Sequence, residues 1–267
     1  MSNWCHNRLV ITGQSVFVDE LQQWVNGHVV PDYRHAVQQS CRLFLAGCAG
    51  KFIGLFGQTA RYHHRYKVFS DFVQCGAIAI HNRFCPDDAL EKQYMLIIKG
   101  YEREDVERLA HLLALVRIAL AVEPCDFLGM AFMNLELGDK HRGQFFTPWS
   151  VASIMARLQF TELEQRLLTQ PFVTISEPAC GAGAMMIAAA VEMQALGYAP
   201  SQHMWVSCVD IDVVAMSMAY IQLSSLGIPG EIVLGNALAD ERRLVMYTPM
   251  HWLVQWPLRL QTFNAVT

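Results

Sequence analysis

The sequence predicts an α/β fold in which a helical region leads into a parallel sheet. Three observations carry this. First, the chain alternates short apolar runs at 172–176, 204–209 and 231–234 with helical patterns at 184–196 and 213–226. Second, the first two runs end in acid, at Glu177 and Asp210. Third, the first run enters its helix through a small-residue turn, Pro178-Ala179-Cys180-Gly181-Ala182-Gly183. Such alternation implies right-handed crossovers in a doubly wound, Rossmann-like sheet.

Composition sets the outer bounds. The chain has 267 residues, 53% of them hydrophobic and 16% charged, with a net charge of −4. That suits a globular protein with a real core rather than a disordered one. The longest apolar run, 109–122, is interrupted by His111 and Arg117, so no membrane partner is expected. The first twenty residues lack the pattern of a secretory signal, which points to a cytoplasmic protein. Eight cysteines without a Cys-x-x-Cys pair read as free thiols, with no metal site. A net acidic chain that meets nucleic acid must do so through local basic patches or a partner.

Three regions follow in order. Residues 1–50 read as an N-terminal extension. It has a short β-type run at Leu9-Val10-Ile11, a helical pattern at 16–25, and a turn-prone junction at Ala46-Gly47-Cys48-Ala49-Gly50. Residues 51–140 read as helical, with apolar spacing at 68–80, 89–98 and 102–122 and an apolar helix at 127–132. Within them Arg61-Tyr62-His63-His64-Arg65-Tyr66-Lys67 mixes basic and aromatic side chains. It reads either as a solvated helix face or as a grip for phosphates and bases.

Residues 141–267 carry the ligand chemistry. Gly181 and Gly183 let backbone pass close to a ligand, and the helix starting at Ala184 offers unpaired N–H groups. Asp210, at the end of the second strand, can accept both hydroxyls of a ribose. Ile211 is placed to lie against an adenine, and Asp212 to cap the next helix. Asn236 ends the third strand with both a donor and an acceptor for the adenine edge. Thr147 suits a cap for a helix beginning near Pro148-Trp149. A dinucleotide is less suited, because the turn lacks a third glycine at the required spacing.

Three segments in this order resemble the N6-adenine DNA methylases, in particular the modification subunits of type I restriction systems. They are Gly143-Gln144-Phe145-Phe146-Thr147-Pro148, the 174–184 turn, and Cys208-Val209-Asp210-Ile211-Asp212. The resemblance covers roughly 55–256. It implies a Rossmann-like methyltransferase fold that binds S-adenosylmethionine, methyl transfer to adenine N6, and double-stranded DNA as a partner. It places Phe146, Thr147 and Pro148 at the methionine end of the cofactor. Glu177, where the family more usually has aspartate, faces the cofactor's amino end. Ala179, Cys180, Gly181 and Gly183 form the turn beneath it. The opening Asn3-Trp4-Cys5-His6-Asn7 resembles small ferredoxin-like proteins carried on plasmids and phages, of which only the first strand and helix fit here.

The same resemblance exposes a gap. The family carries an Asn-Pro-Pro-Tyr type motif after its fourth strand, and nothing after Asn236 matches it. Catalytic residues therefore stay unassigned, with Thr248-Pro249-Met250-His251-Trp252 as the nearest candidate for stacking on a flipped base. The stretch 178–267 has room for one more strand, around 244–256, so the expected sheet is incomplete at its C-terminal end. Its first strand then lies near an edge, with apolar surface at Trp252, Leu253, Val254, Trp256 and Leu258. These features imply a specificity or catalytic partner subunit, or self-association. They also keep open a second reading, an inactive S-adenosylmethionine-binding or assembly subunit of a restriction-modification-like system.

Overall fold

The computed structural model describes residues 31–137 and 146–266. Helices α1 (Pro31–Gln58), α2 (Arg65–Asn82), α3 (Asp88–Ile98), α4 (Arg103–Val122) and α5 (Phe127–Asn134) come first. Local chemistry sets their starts. Asp87 caps α3 by accepting from the Ala89 and Leu90 amides at 2.8 and 3.0 Å. Asp126 caps α5 through the Gly129 amide at 2.9 Å. Along α2, Val68, Phe69, Phe72, Val73 and Ala77 recur at helical spacing and are buried. Their rings join Phe52, Phe56, Phe127 and Phe132 in one aromatic core, with edge-on and tilted contacts.

The junction expected at Ala46–Gly50 is instead the middle of α1. Those small residues sit on a continuous helix, with Cys48 buried against the core, so tertiary packing overrides their turn tendency. The readings at 9–11 and 16–25 lie outside the described residues. The basic-aromatic cluster at 61–67 is largely spent on the fold. Arg65 donates to the Thr59 and Phe56 carbonyls, Lys67 pairs with Asp71, and Tyr62 donates to Asp105 at 2.9 Å.

Helix α6 (Trp149–Leu167) leads into the α/β unit: β1 (Val173–Glu177), α7 (Ala184–Ala195), α8 (Pro200–His203), β2 (Met204–Asp210), α9 (Val213–Ser225), β3 (Gly230–Asn236), β4 (Glu241–Tyr247), α10 (Pro249–Leu253) and α11 (Trp256–Val266). The sheet order is β1-β2-β3-β4. The first two pairings are parallel and the third antiparallel. This is a Rossmann-like α/β domain preceded by a helical region. Every residue from 214 to 223 in α9 is buried, because α9 lies between the sheet and the helical region. That is why it reads as apolar all round.

Two expectations are corrected. The parallel strands progress in one direction, so the described residues contain no reversal of strand order of the doubly wound kind. The further strand is Glu241–Tyr247 rather than 244–256, and it pairs with β3. Among the described residues β1 lies at the sheet edge, with Thr174 and Ser176 exposed. The tail is partly covered as well. Trp256 is fully buried, edge-on to Phe172 at 4.8 Å. Trp252, Leu253 and Leu258 are exposed.

Candidate functional site

The site lies at the carboxyl ends of β1, β2 and β3. The turn after β1 docks onto β2 through the Cys180 amide, which donates to the Val209 carbonyl at 2.9 Å. Gly181 then donates its amide to Asp210 Oδ2 at 2.8 Å. The other oxygen of that carboxylate accepts from the Asp212 amide at 2.9 Å. Asp210 is thus held in one orientation by two backbone N–H groups. A carboxylate has about four lone-pair positions, so each oxygen keeps room for a hydroxyl. Burial raises the Asp210 pKa above the ordinary aspartate value, partly offset by those N–H bonds.

Gly181 adopts φ +54°, and a Cβ built there would meet the Phe146 ring at 3.0 Å. Both facts demand glycine. Phe146 in turn packs edge-on to Phe132, with centroids 5.4 Å apart. An aromatic path therefore runs from the helical core to the turn. Gly183, at φ +91°, is the N-cap of α7 and supplies no side-chain cap. The first turn of α7 therefore keeps its positive end for a ligand.

The structure brings together Phe146, Cys180, Gly181, Gly183 and Asp210. Thr147 and Pro148 are exposed beside Phe146, and α6 begins at Trp149, one residue after Pro148. Ala179 is exposed on the turn, and Glu177 is half-buried at the end of β1. Ile211 is 64% exposed, so its apolar side chain is free to meet a flat ring. Its carbonyl accepts from Arg243 at 3.1 Å. Asn236 caps the short 3-10 turn Ala237–Ala239 by accepting the Leu238 amide at 3.1 Å. That commits its oxygen and leaves the NH2 as the group to meet a ligand. Asp212 caps α9 through the Val214 amide at 2.6 Å, as its position suggested.

Cys180 departs from a ligand-facing role for its side chain. The thiol is buried, and hydrogen bonding to Cys208, with burial, pushes its pKa well above the ordinary value. Only its backbone faces the turn. Thr248–Trp252 also lies away from the site. Trp205, near the start of β2, donates to His251 Nδ1 at 3.0 Å, whereas Asp210 ends that strand. Five residue steps along the strand separate them, roughly 16 Å. Burial lowers the His251 pKa to about 4, which keeps the ring neutral and able to accept that bond.

Sequence reading passes over Asp126 and Gln222. Both are buried; Gln222 donates to the Ala182 carbonyl of the glycine turn and to Asp126. The signal available was a single amide inside an otherwise apolar helix. Among the described residues no group of three or more His, Cys, Asp or Glu could hold a metal ion. No helix among them is long and apolar enough to cross a membrane.

The residues fit a nucleoside-bearing cofactor: a glycine cradle, an oriented carboxylate, an exposed apolar side chain and an uncapped helix start. The chain is 42% identical over 50 residues to the uncharacterized protein YubA of Escherichia coli (strain K12), covering 19% of this chain and 30% of that protein. The chain also aligns with a crystal structure from Listeria monocytogenes described as a class I S-adenosylmethionine-dependent methyltransferase. The TM-score is 0.38 at 16% identity, covering 69% of this chain and 52% of that one, a likeness too low to carry weight. The chain thus spans less than two thirds of either relative. The model of the N-6 DNA methylase family matches residues 132–257, a segment that holds Phe146-Thr147-Pro148, the glycine turn, Asp210 and Asn236. This segment of the chain thus matches the N-6 DNA methylase family, with the motifs in the family's order.

Proposed function

We propose that the glycine turn and Asp210 bind S-adenosylmethionine, and that the domain serves methyl transfer to the N6 of adenine in double-stranded DNA. The observation that carries this reading is the Asp210 carboxylate, fixed by the Gly181 and Asp212 amides beside an uncapped helix start. In that reading Asp210 accepts the ribose hydroxyls. Ile211 lies against the adenine, and Asn236 donates to its edge. Phe146, Thr147 and Pro148 border the methionine end, with Glu177 near its amino group.

The cofactor supplies a methyl carbon on a sulfonium. When bound, the cofactor would give that methyl to the N6 amine, which would release a proton to solvent, and would leave as S-adenosylhomocysteine. The chain's contribution is to hold donor and amine in line. The test is incubation of the purified chain with tritiated S-adenosylmethionine and adenine-containing duplex DNA, followed by nucleoside mass spectrometry. N6-methyladenine is the expected product. No labelled base in the presence of demonstrated cofactor binding would overturn the catalytic reading.

A second reading, a cofactor-binding or assembly subunit that acts with another chain, is favoured by one observation. The nearest stand-in for Asn-Pro-Pro-Tyr, Thr248–Trp252, lies at the opposite end of the sheet from Asp210. In this reading methylation appears only when a partner subunit is added.

A further inference from the structure

Gln222 sits in the middle of α9 with no exposed surface. Its side-chain NH2 donates to the Ala182 carbonyl at 2.8 Å and to Asp126 Oδ1 at 2.9 Å. Its oxygen accepts the Leu128 amide at 2.9 Å. Both donors of the amide are therefore used and its oxygen is engaged, so its orientation is fixed. A flipped amide would aim oxygen at a carboxylate and a carbonyl. Ala182 lies between the two positive-φ glycines of the turn. Asp126 and Leu128 belong to the start of α5, in the helical region. Gly129 makes the contact possible, since a Cβ there would lie 2.1 Å from Asp126 Oδ2.

We infer that Gln222 is a positioning residue that ties the helical region to the cofactor turn, so that docking of α5 sets the turn's ligand-ready shape. This rests on the cofactor reading above. The physical reason is that a buried carbonyl must be paired, and an amide with both donors committed cannot drift without orphaning Ala182, Asp126 or Leu128. Asp126 is the titratable group that faces the amide. Burial raises its pKa, and burial also pushes the adjacent Cys125 thiol up to about 12, so that thiol stays neutral.

The test uses the full chain and two variants, Gln222→Leu and Gln222→Glu. Hydrogen exchange of the 179–184 amides is measured by mass spectrometry alongside S-adenosylmethionine affinity. In Gln222→Leu the turn is expected to exchange about tenfold faster and to bind about tenfold more weakly, as for loss of a buried hydrogen bond. Exchange in α2 and α4 should be unchanged. Gln222→Glu should bind weakly at about pH 8 and recover toward about pH 6, as its carboxyl gains a proton to donate to Ala182. The parent chain should lack that recovery. A merely space-filling Gln222 would give no such pH profile. Unchanged turn exchange in a folded Gln222→Leu would overturn the inference. So would faster exchange with unchanged affinity, or a flat profile for a folded Gln222→Glu. If the parent chain binds no S-adenosylmethionine while exchange in the turn still rises in Gln222→Leu, the cofactor reading fails and the mechanical tie stands.

Discussion

Asp210 carries the most weight of any single residue. Its ionised form accepts ribose hydroxyls more strongly and with more free lone pairs than the protonated acid, and burial raises its pKa. Cofactor affinity should therefore fall as pH drops through that raised value, at a higher pH than for a solvent-exposed aspartate. Titrations across about pH 4 to pH 8 would show this. Asp210→Asn should flatten the profile and bind more weakly throughout. Gly181→Ala places a side chain at φ +54° and 3.0 Å from the Phe146 ring. The left-handed conformation alone costs about 1–2 kcal/mol, and the ring must move as well. Binding should weaken by roughly tenfold or more, and Phe146→Ala in the same chain should recover part of the loss. Much of this was legible in advance, because acid-ended strands and glycines at a strand-to-helix turn have local causes. The inward turn of the Cys180 thiol was not, because it depends on Cys208 on the neighbouring strand β2.

At the level of elements, helices α2 to α5, α7 and α9 fall where apolar spacing and caps place them. Misplaced features involve long-range partners. Ala46–Gly50 is helical because α1 packs against the core. β4 spans 241–247 and joins β3 because the short 3-10 turn after Asn236 returns the chain to β3 as a hairpin. Trp256 illustrates the same limit. It reads as an exposed tail residue, yet it is fully buried on Phe172 and donates to the Ser201 carbonyl at 3.0 Å. Trp256→Ala should cost about 3–5 kcal/mol, read as a lower urea midpoint. The α5 cap yields a pH prediction. Asp126 has its pKa raised by burial, so its ionisation opposes folding. Its contribution is fully present at low pH and is lost as pH rises through the raised value. Asp126→Asn cannot ionise. Its melting temperature should therefore gain on the parent's as pH rises, and a constant gap from about pH 4 to pH 8 would contradict this.

The described residues join a helical region to a mixed sheet through α9, buried along 214–223, and through the aromatic path Phe69–Phe132–Phe146 to Gly181. This arrangement places the helical core directly behind the candidate cofactor turn. It also leaves surface uncovered. Among the described residues β1 is at the sheet edge, and α6 exposes Val151, Ile154, Met155 and Leu158 at helical spacing. The expected outcome is concentration-dependent association in sedimentation experiments, reduced by Leu158→Glu. An unchanged monomer at high concentration would remove that expectation. The overall class was readable because an α/β pattern and a motif order survive without tertiary information. Which strand pairs with which, and which aromatic bridges the two regions, were not.

The central claim is that the turn at 178–183 and Asp210 form a cofactor site. Calorimetric titration of S-adenosylmethionine into the full chain, with Asp210→Ala as control, tests it most directly. Saturable binding by the parent and its loss in a folded Asp210→Ala is the predicted result. A folded parent chain that takes up no S-adenosylmethionine, or a variant that binds as well as the parent, would contradict it.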